Sequence, residues 1–286
     1  MNNTSANPIP FIDFGGSGQT IHFSHANGYP PLCYKPLLNL LSNNYHVLSM
    51  LQRPLWPGSD PKEINDWSPL AKDLLSFLDQ RSLTTTIAIG HSVGAINSLR
   101  AAILDPNRFK ALVLIDPVLF IPSVILFRKL IWSMDLIYRH HPLIKAARYR
   151  RSEFKDRESI IRGFRSKPIF RYLDDISLQT YIEGITTAKP EGGYKLTYSP
   201  DWEMRIYATG ILRDMDLWRN IPKLEIPVLL IRGGETDTFL PAAANLFKKR
   251  LPGASFLTME NSTHLVPLER PVDVSDAIHQ FLQEKL

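Results

Sequence analysis

A single cysteine, Cys33, stands in the whole sequence, which rules out an internal disulfide and any metal site built from several thiolates. Nothing around it would activate it, so a free buried thiol is expected rather than a nucleophile. Uninterrupted apolar runs are missing as well. The greasiest stretch, Ile121 to Ile144, is broken by Arg128, Lys129, Asp135 and the run Arg139-His140-His141-Pro142, so no stable membrane insertion is expected. The opening MNNTSANPIPFIDF has neither the basic start nor the apolar stretch of a secretory signal, and a cytoplasmic location is the default expectation. Basic runs interleaved with aromatics are also absent, and a formal charge of +5 with a pI near 9.2 is only mildly basic. Nucleic acid is therefore not an expected partner, and a small-molecule substrate is. Neither a repeat nor a linker divides the chain, and its oligomeric state is left open by the sequence.

What is present is an alternation of β-branched apolar runs with amphipathic helical patterns, which predicts an α/β fold with a mainly parallel, doubly wound sheet. Strands are expected at Pro10–Phe14, Thr20–Ser24, His46–Met50, Thr84–Ile89, Ala111–Ile115, Pro227–Ile231 and Ser255–Met259. From about Leu119 to Ile221 strand-like runs almost disappear, and arginine, aromatics and helical periodicity take over. The expected organisation is thus a first core part over 1–118, an inserted helical cap over 119–221 and a second core part over 222–286.

Gly90-His91-Ser92-Val93-Gly94 matches G-x-S-x-G, between an all-apolar strand and a helical pattern that ends at Asp105-Pro106. An ordinary glycine-rich loop can give those letters by chance, but the strand before and the helix after are the context a nucleophile elbow requires. In such an elbow the serine hydroxyl projects above the C-terminal edge of the sheet. The following helix aims its free N–H groups at developing negative charge.

A serine hydroxyl needs a base, and in this arrangement the order along the chain is Ser, acid, His. His264 follows the strand Ser255–Met259 through the short polar loop Glu260-Asn261-Ser262-Thr263 and is the expected base; His279, inside the last helix, reads as a packing residue. For the acid, the loop leaving Ile231 offers Asp237 first and Glu235 second, with Asp116, just past the strand Ala111–Ile115, as an outsider. The expected oxyanion donors are the amide of Val93 and one from the loop His25-Ala26-Asn27-Gly28-Tyr29-Pro30, with Asn27 and Ala26 both open. His25, His91 and Trp56 are further candidates for the pocket wall, although a loop-stabilising role is preferred for the His25 side chain.

Together these segments resemble the α/β-hydrolase superfamily, in its capped branch. Members usually have His-Gly-x in the first loop, where this chain has Ala26 in place of the glycine. Arg53-Pro54-Leu55-Trp56-Pro57-Gly58 likewise departs from the commoner Arg-Gly-x-Gly loop. Haloalkane dehalogenases and epoxide hydrolases of the superfamily carry Asp at the elbow, whereas this chain carries Ser92. The resemblance therefore implies a serine hydrolase acting on an ester or similar activated carbonyl through an acyl-enzyme, with no cofactor and no metal. Carbon–carbon hydrolysis of a dicarbonyl compound is the alternative within the same chemistry, and a ligand-binding receptor or pseudoenzyme is the alternative outside it.

Two features of the cap bear on substrate. The basic residues Arg148, Arg150, Arg151, Lys155, Arg157, Arg162, Arg165, Lys167 and Arg171 could meet an anionic group, but their interleaving with Glu153, Asp156 and Glu158 favours a solvated helix face. Ile125, Leu126, Leu130, Ile131, Trp132 and Leu136 could line an apolar channel, rest on a membrane surface, or pack the cap on the core.

Overall fold

A computed structural model of the protein describes residues 8–133 and 136–286. The strands that form the main sheet are β1 (Phe11–Gly15), β2 (Thr20–Ser24), β3 (His46–Met50), β4 (Thr86–His91) and β5 (Phe109–Ile115), joined after the insertion by β9 and β10 below. Helices α1 (Lys35–Leu41), α2 (Ser68–Gln80) and α3 (Val93–Leu104) connect them. The insertion carries α4 (Pro122–Ser133), α5 (Ile137–His140), α6 (Pro142–Arg148), β6 (Glu153–Phe154), α7 (Arg157–Arg165), α8 (Asp175–Ile185), β7 (Thr186–Ala188), β8 (Tyr194–Leu196), α9 (Pro200–Thr209) and α10 (Asp214–Asn220). The chain closes with β9 (Val228–Gly233), α11 (Pro241–Arg250), β10 (Ser255–Met259), α12 (Val266–Glu269) and α13 (Pro271–Lys285).

Strand order is β1-β3-β2-β4-β5-β9-β10. Only β1 runs antiparallel to its neighbour, β3; the other neighbouring pairs are parallel. β4 is buried along its whole length and β5 everywhere except Lys110, as parallel strands covered on both faces require. The alternation of a pleated strand divides their side chains between two cores. Ala88, Leu112, Leu114 and Leu230 pack with α2 and α3. Ile87, Ile89, Val113, Ile115 and Ile231 pack with α1 and α13 on the opposite face.

The register of the central strands fixes the site. His91 lies opposite Ile115, and Ile115 opposite Ile231. Ser92 and Asp116 therefore step off the same sheet edge side by side.

The insertion is not purely helical: β6, β8 and β7 form a small antiparallel sheet in that order. Strands of two or three residues are too short to show an alternating pattern, which is why the sequence reads as helical there. α10 packs on α3 within the same apolar cluster as the sheet, and the Trp218 indole donates to the carbonyl of Phe120 at 2.7 Å. Among the described residues no helix is long and apolar enough to cross a membrane.

Candidate active site

Ser92 sits at φ 58°, ψ −120°, a backbone region that side-chain-bearing residues avoid at a cost of about 1–3 kcal/mol. The elbow's glycines make the turn possible. A Cβ on Gly94 would lie 2.1 Å from the Ser24 carbonyl oxygen, and one on Gly90 would lie 2.4 Å from the carbonyl oxygen of Gly94. Strand β2, strand β4 and helix α3 can approach this closely only without those side chains.

The Ser92 Oγ is 3.0 Å from Nε2 of His264, and Nδ1 of His264 is 2.7 Å from Oδ2 of Asp116. A carboxylate only accepts, so Nδ1 carries the imidazole proton and Nε2 is left bare toward the serine hydroxyl. Asp116 is fully buried. Besides His264 it accepts the Gly233 N–H on Oδ1 at 3.0 Å and the Thr236 hydroxyl on Oδ2 at 2.6 Å. A buried charge held by this many donors is compensated.

Asp237, the acid expected first, does not reach His264. It is exposed, and its recorded side-chain bond is with the Thr238 hydroxyl at 3.1 Å. The reason lies in the strand ends. β9 runs on to Gly233, two residues past the Ile231 level, and the loop beyond it carries Asp237 outward, while Thr236 turns in toward Asp116. Glu235 does not meet His264 either. It pairs with Arg171 and accepts the Tyr172 hydroxyl at 2.6 Å, and these two donors hold its carboxyl below the usual range. It ties the insertion to the loop after β9.

The amide of Ala26 donates to the Tyr34 hydroxyl at 3.2 Å, which leaves Asn27 as the loop amide free to face a bound oxyanion. Val93 opens α3, and first-turn N–H groups lie outside the helix's own ladder. Both residues border the cavity above Ser92.

His91 has a different place from the one expected. It is fully buried beneath the site and does not line the cavity. Its Nε2 donates to the backbone carbonyl of His264 at 2.8 Å and its Nδ1 lies 2.8 Å from the Tyr34 hydroxyl. Burial, then the neighbouring His264, pushes its pKa well below the ordinary histidine value. The neutral ring donates at Nε2 and so accepts at Nδ1, which makes Tyr34 its donor. A relay thus runs Ala26 N–H to Tyr34, Tyr34 to His91, and His91 to His264. It couples the loop before α1 to the loop that carries the base.

Two other expected wall residues also lie elsewhere. His25 is buried, accepts the Gln52 N–H on Nε2 at 3.1 Å and holds the Ala26 carbonyl on Nδ1 at 2.9 Å, so it braces its loop. Trp56 donates its indole N–H to Leu51 and stacks under Arg53, which a two-pronged bond to Asp73 pins against α2. Trp67 lines the cavity instead.

Sequence reasoning passed over Tyr34 and Glu269. Glu269 accepts both the N–H and the hydroxyl of Thr263, at 2.7 and 2.6 Å, immediately before His264. Neither residue belongs to a motif. Cys33 is buried and its thiol is pushed up by that burial, which leaves it inert.

The cavity above Ser92 is about 900 Å3, floored by Ser92, Val93, Asn27 and His264 and roofed by the insertion. Phe164, Phe170, Tyr181 and Tyr207 make much of the roof apolar. Of the basic run in the cap, Arg157, Arg165 and Arg171 are spent on surface ion pairs, while Arg150 faces the cavity paired to Glu203 at 2.7 Å. The apolar stripe of α4 does not line the cavity: Ile125 is buried in the core, and Leu126 and Leu130 are exposed.

The match to known proteins follows this geometry. The model of the alpha/beta hydrolase family fits residues 23–277. The chain belongs to that family. Among curated relatives, bifunctional epoxide hydrolase 2 of Mus musculus is 21% identical over 97% of this chain and 54% of its own length. The 2-(acetamidomethylene)succinate hydrolase of Mesorhizobium japonicum is 24% identical over 93% and 89%. Esterase YbfF of Escherichia coli is 22% identical over 85% of each. The chain spans about half the length, or less, of the first epoxide hydrolases it matches. A crystal structure of E-2-(acetamidomethylene)succinate hydrolase superimposes with a TM-score of 0.80 at 20% identity, covering 96% of this chain and 94% of that one. At that identity the likeness is one of fold.

Proposed function

We propose that this alpha/beta hydrolase cleaves an ester or similarly activated carbonyl of a small, largely apolar substrate through an acyl-enzyme on Ser92. The observation that carries the reading is the chain Ser92 Oγ to His264 Nε2, 3.0 Å, and His264 Nδ1 to Asp116, 2.7 Å, on an elbow at the floor of a cavity. His264 takes the serine proton as Oγ bonds to the substrate carbonyl carbon. The oxyanion that forms is met by the amides of Val93 and Asn27, and the imidazolium is stabilised by Asp116. Collapse breaks the ester C–O bond, and His264 returns the proton to the leaving alkoxide. Water then attacks the acyl-enzyme, with His264 again as base, and the carboxylic acid leaves Ser92 free.

Serine at the elbow, where epoxide hydrolases carry aspartate, favours acyl transfer over epoxide opening even though some of the relatives are epoxide hydrolases. Relatives named as hydrolases, one an esterase, point the same way. The test is a fluorophosphonate probe with 4-nitrophenyl esters of increasing chain length, on wild type and Ser92→Ala. Labelling and turnover in the wild type that vanish in the variant are expected. Silence in both proteins would overturn the esterase reading.

A further inference from the structure

Among the described residues four cationic side chains line the cavity: Arg128, Arg150, Arg151 and Lys167. Arg150 is paired to Glu203, Arg151 donates to the Glu153 carbonyl, and the Lys167 amine lies 4.2 Å from the centre of the Phe164 ring. Arg128, on α4, has no carboxylate and no hydrogen-bonded acceptor among the described residues. It lines the cavity half-buried, with its guanidinium carbon 5.0 Å from the centre of the Phe120 ring. Burial pulls its pKa below the usual arginine value, the mark of a charge held where water serves it poorly.

His141 also lines the cavity, near enough for its ring to feel the Arg128 charge. Its Nδ1 accepts the Leu143 N–H at 3.2 Å. Burial, then the charge of Arg128, lowers its pKa to about 4. The ring is therefore neutral at pH 7 and its single proton sits on Nε2, a donor for which no acceptor is recorded among the described residues. This part of the cavity thus offers a guanidinium fork and an imidazole N–H without an acceptor, against apolar neighbours such as Val118 and Phe120. Both donors face the cavity and are open to a ligand there, and the fork geometry matches a carboxylate.

We propose that the substrate carries a carboxylate remote from its ester, and that Arg128, together with the Nε2–H of His141, binds that group while Ser92 attacks the carbonyl. This specificity rests on the serine-hydrolase reading above. Within the run from Arg148 to Arg171, the cavity-lining Arg150 and Arg151 already have acceptors, and Lys167, over the Phe164 ring, lacks the guanidinium fork.

The experiment compares mono-4-nitrophenyl succinate, glutarate and adipate with the neutral butanoate, pentanoate and hexanoate of equal length. At one or more lengths the wild type is expected to favour the hemiester at least tenfold in kcat/KM. Arg128→Gln should cut that ratio at least tenfold, chiefly through KM, and Arg128→Lys should fall between. Thermal melts establish that the variants fold, and Arg128→Lys carries the test if Arg128→Gln does not. A wild type that prefers the neutral ester at every length, or a preference that survives Arg128→Gln, would overturn the proposal while leaving the hydrolase intact. If no ester is turned over and no probe is bound, it is the hydrolase reading that fails. Calorimetry with succinate, glutarate and adipate then decides the anion site alone: binding lost in Arg128→Gln supports it, and no binding to wild type ends it.

Discussion

Replacing Asp116 by Asn separates the two acids that compete for His264. The carboxylate accepts from His264, Thr236 and Gly233. An amide of the same shape has one accepting oxygen and a donating NH2. If its oxygen turns to Gly233, the NH2 faces His264, forces the imidazole into the other tautomer and leaves Nε2 protonated toward Ser92. The serine then has no base. Losses of about 10^4 in kcat are typical of this change in a Ser-His-Asp site, or about 5.5 kcal/mol of transition-state stabilisation. Folding should suffer less, by about 1–3 kcal/mol for one unmatched buried group. The assay is burst and steady-state hydrolysis of a 4-nitrophenyl ester beside the inactivation rate by a fluorophosphonate, with a thermal melt of each variant. Asp237→Asn, whose target is exposed at the cavity rim, should stay within a few-fold of wild type. If Asp237→Asn lost as much as Asp116→Asn, or if Asp116→Asn kept more than a tenth of the rate, the assignment of the acid would be wrong.

Tyr34→Phe should lower kcat about tenfold, equivalent to about 1.4 kcal/mol, while a fluorophosphonate still labels Ser92, because it unpairs Ala26 and His91 without touching substrate; unchanged kcat would dissolve the relay. Gly94→Ala sets a Cβ 2.1 Å from the Ser24 carbonyl. Overpacking of this kind costs at least about 1–3 kcal/mol, so a melting temperature within a degree of wild type would contradict the close approach of β2 and α3. Stability should also fall as pH drops below 6.5. Burial holds His22 at about 3, His25 at about 4 and His91 well below the ordinary value, so the unfolded chain takes up protons that the folded one refuses. At pH 5.5 each refused proton costs about 1.4 kcal/mol, about 4 kcal/mol for these three together, and His141, held at about 4 on the cavity wall, adds in the same sense. Asp214, raised by burial to about 6, works in the opposite sense and offsets about 1 kcal/mol. Denaturant midpoints that do not move between pH 7.5 and 5.5 would refute this.

Local chemistry made much of this protein legible in its sequence. The apolar runs around Ile87 and Val113 admit only buried parallel strands, G-x-S-x-G between strand and helix can form only a tight elbow, and a histidine just past the strand Ser255–Met259 must emerge at the same sheet edge. Strand and helix periods, turn chemistry and chain order are properties of neighbours in sequence, so these elements and the pairing of Ser92 with His264 follow from it. Tertiary structure decided the rest. Whether Asp116 or Asp237 meets the imidazole depends on how far β9 extends past β5, a register between strands more than a hundred residues apart. His91, expected at the pocket wall, turned downward because Tyr34 and the His264 carbonyl wait beneath it. In the sequence Arg128 reads only as an interruption of an apolar stretch, since only the fold shows which cations have found an acid and which face a cavity wall. Long-range partners set those outcomes, and nothing in the spacing of residues along the chain encodes them.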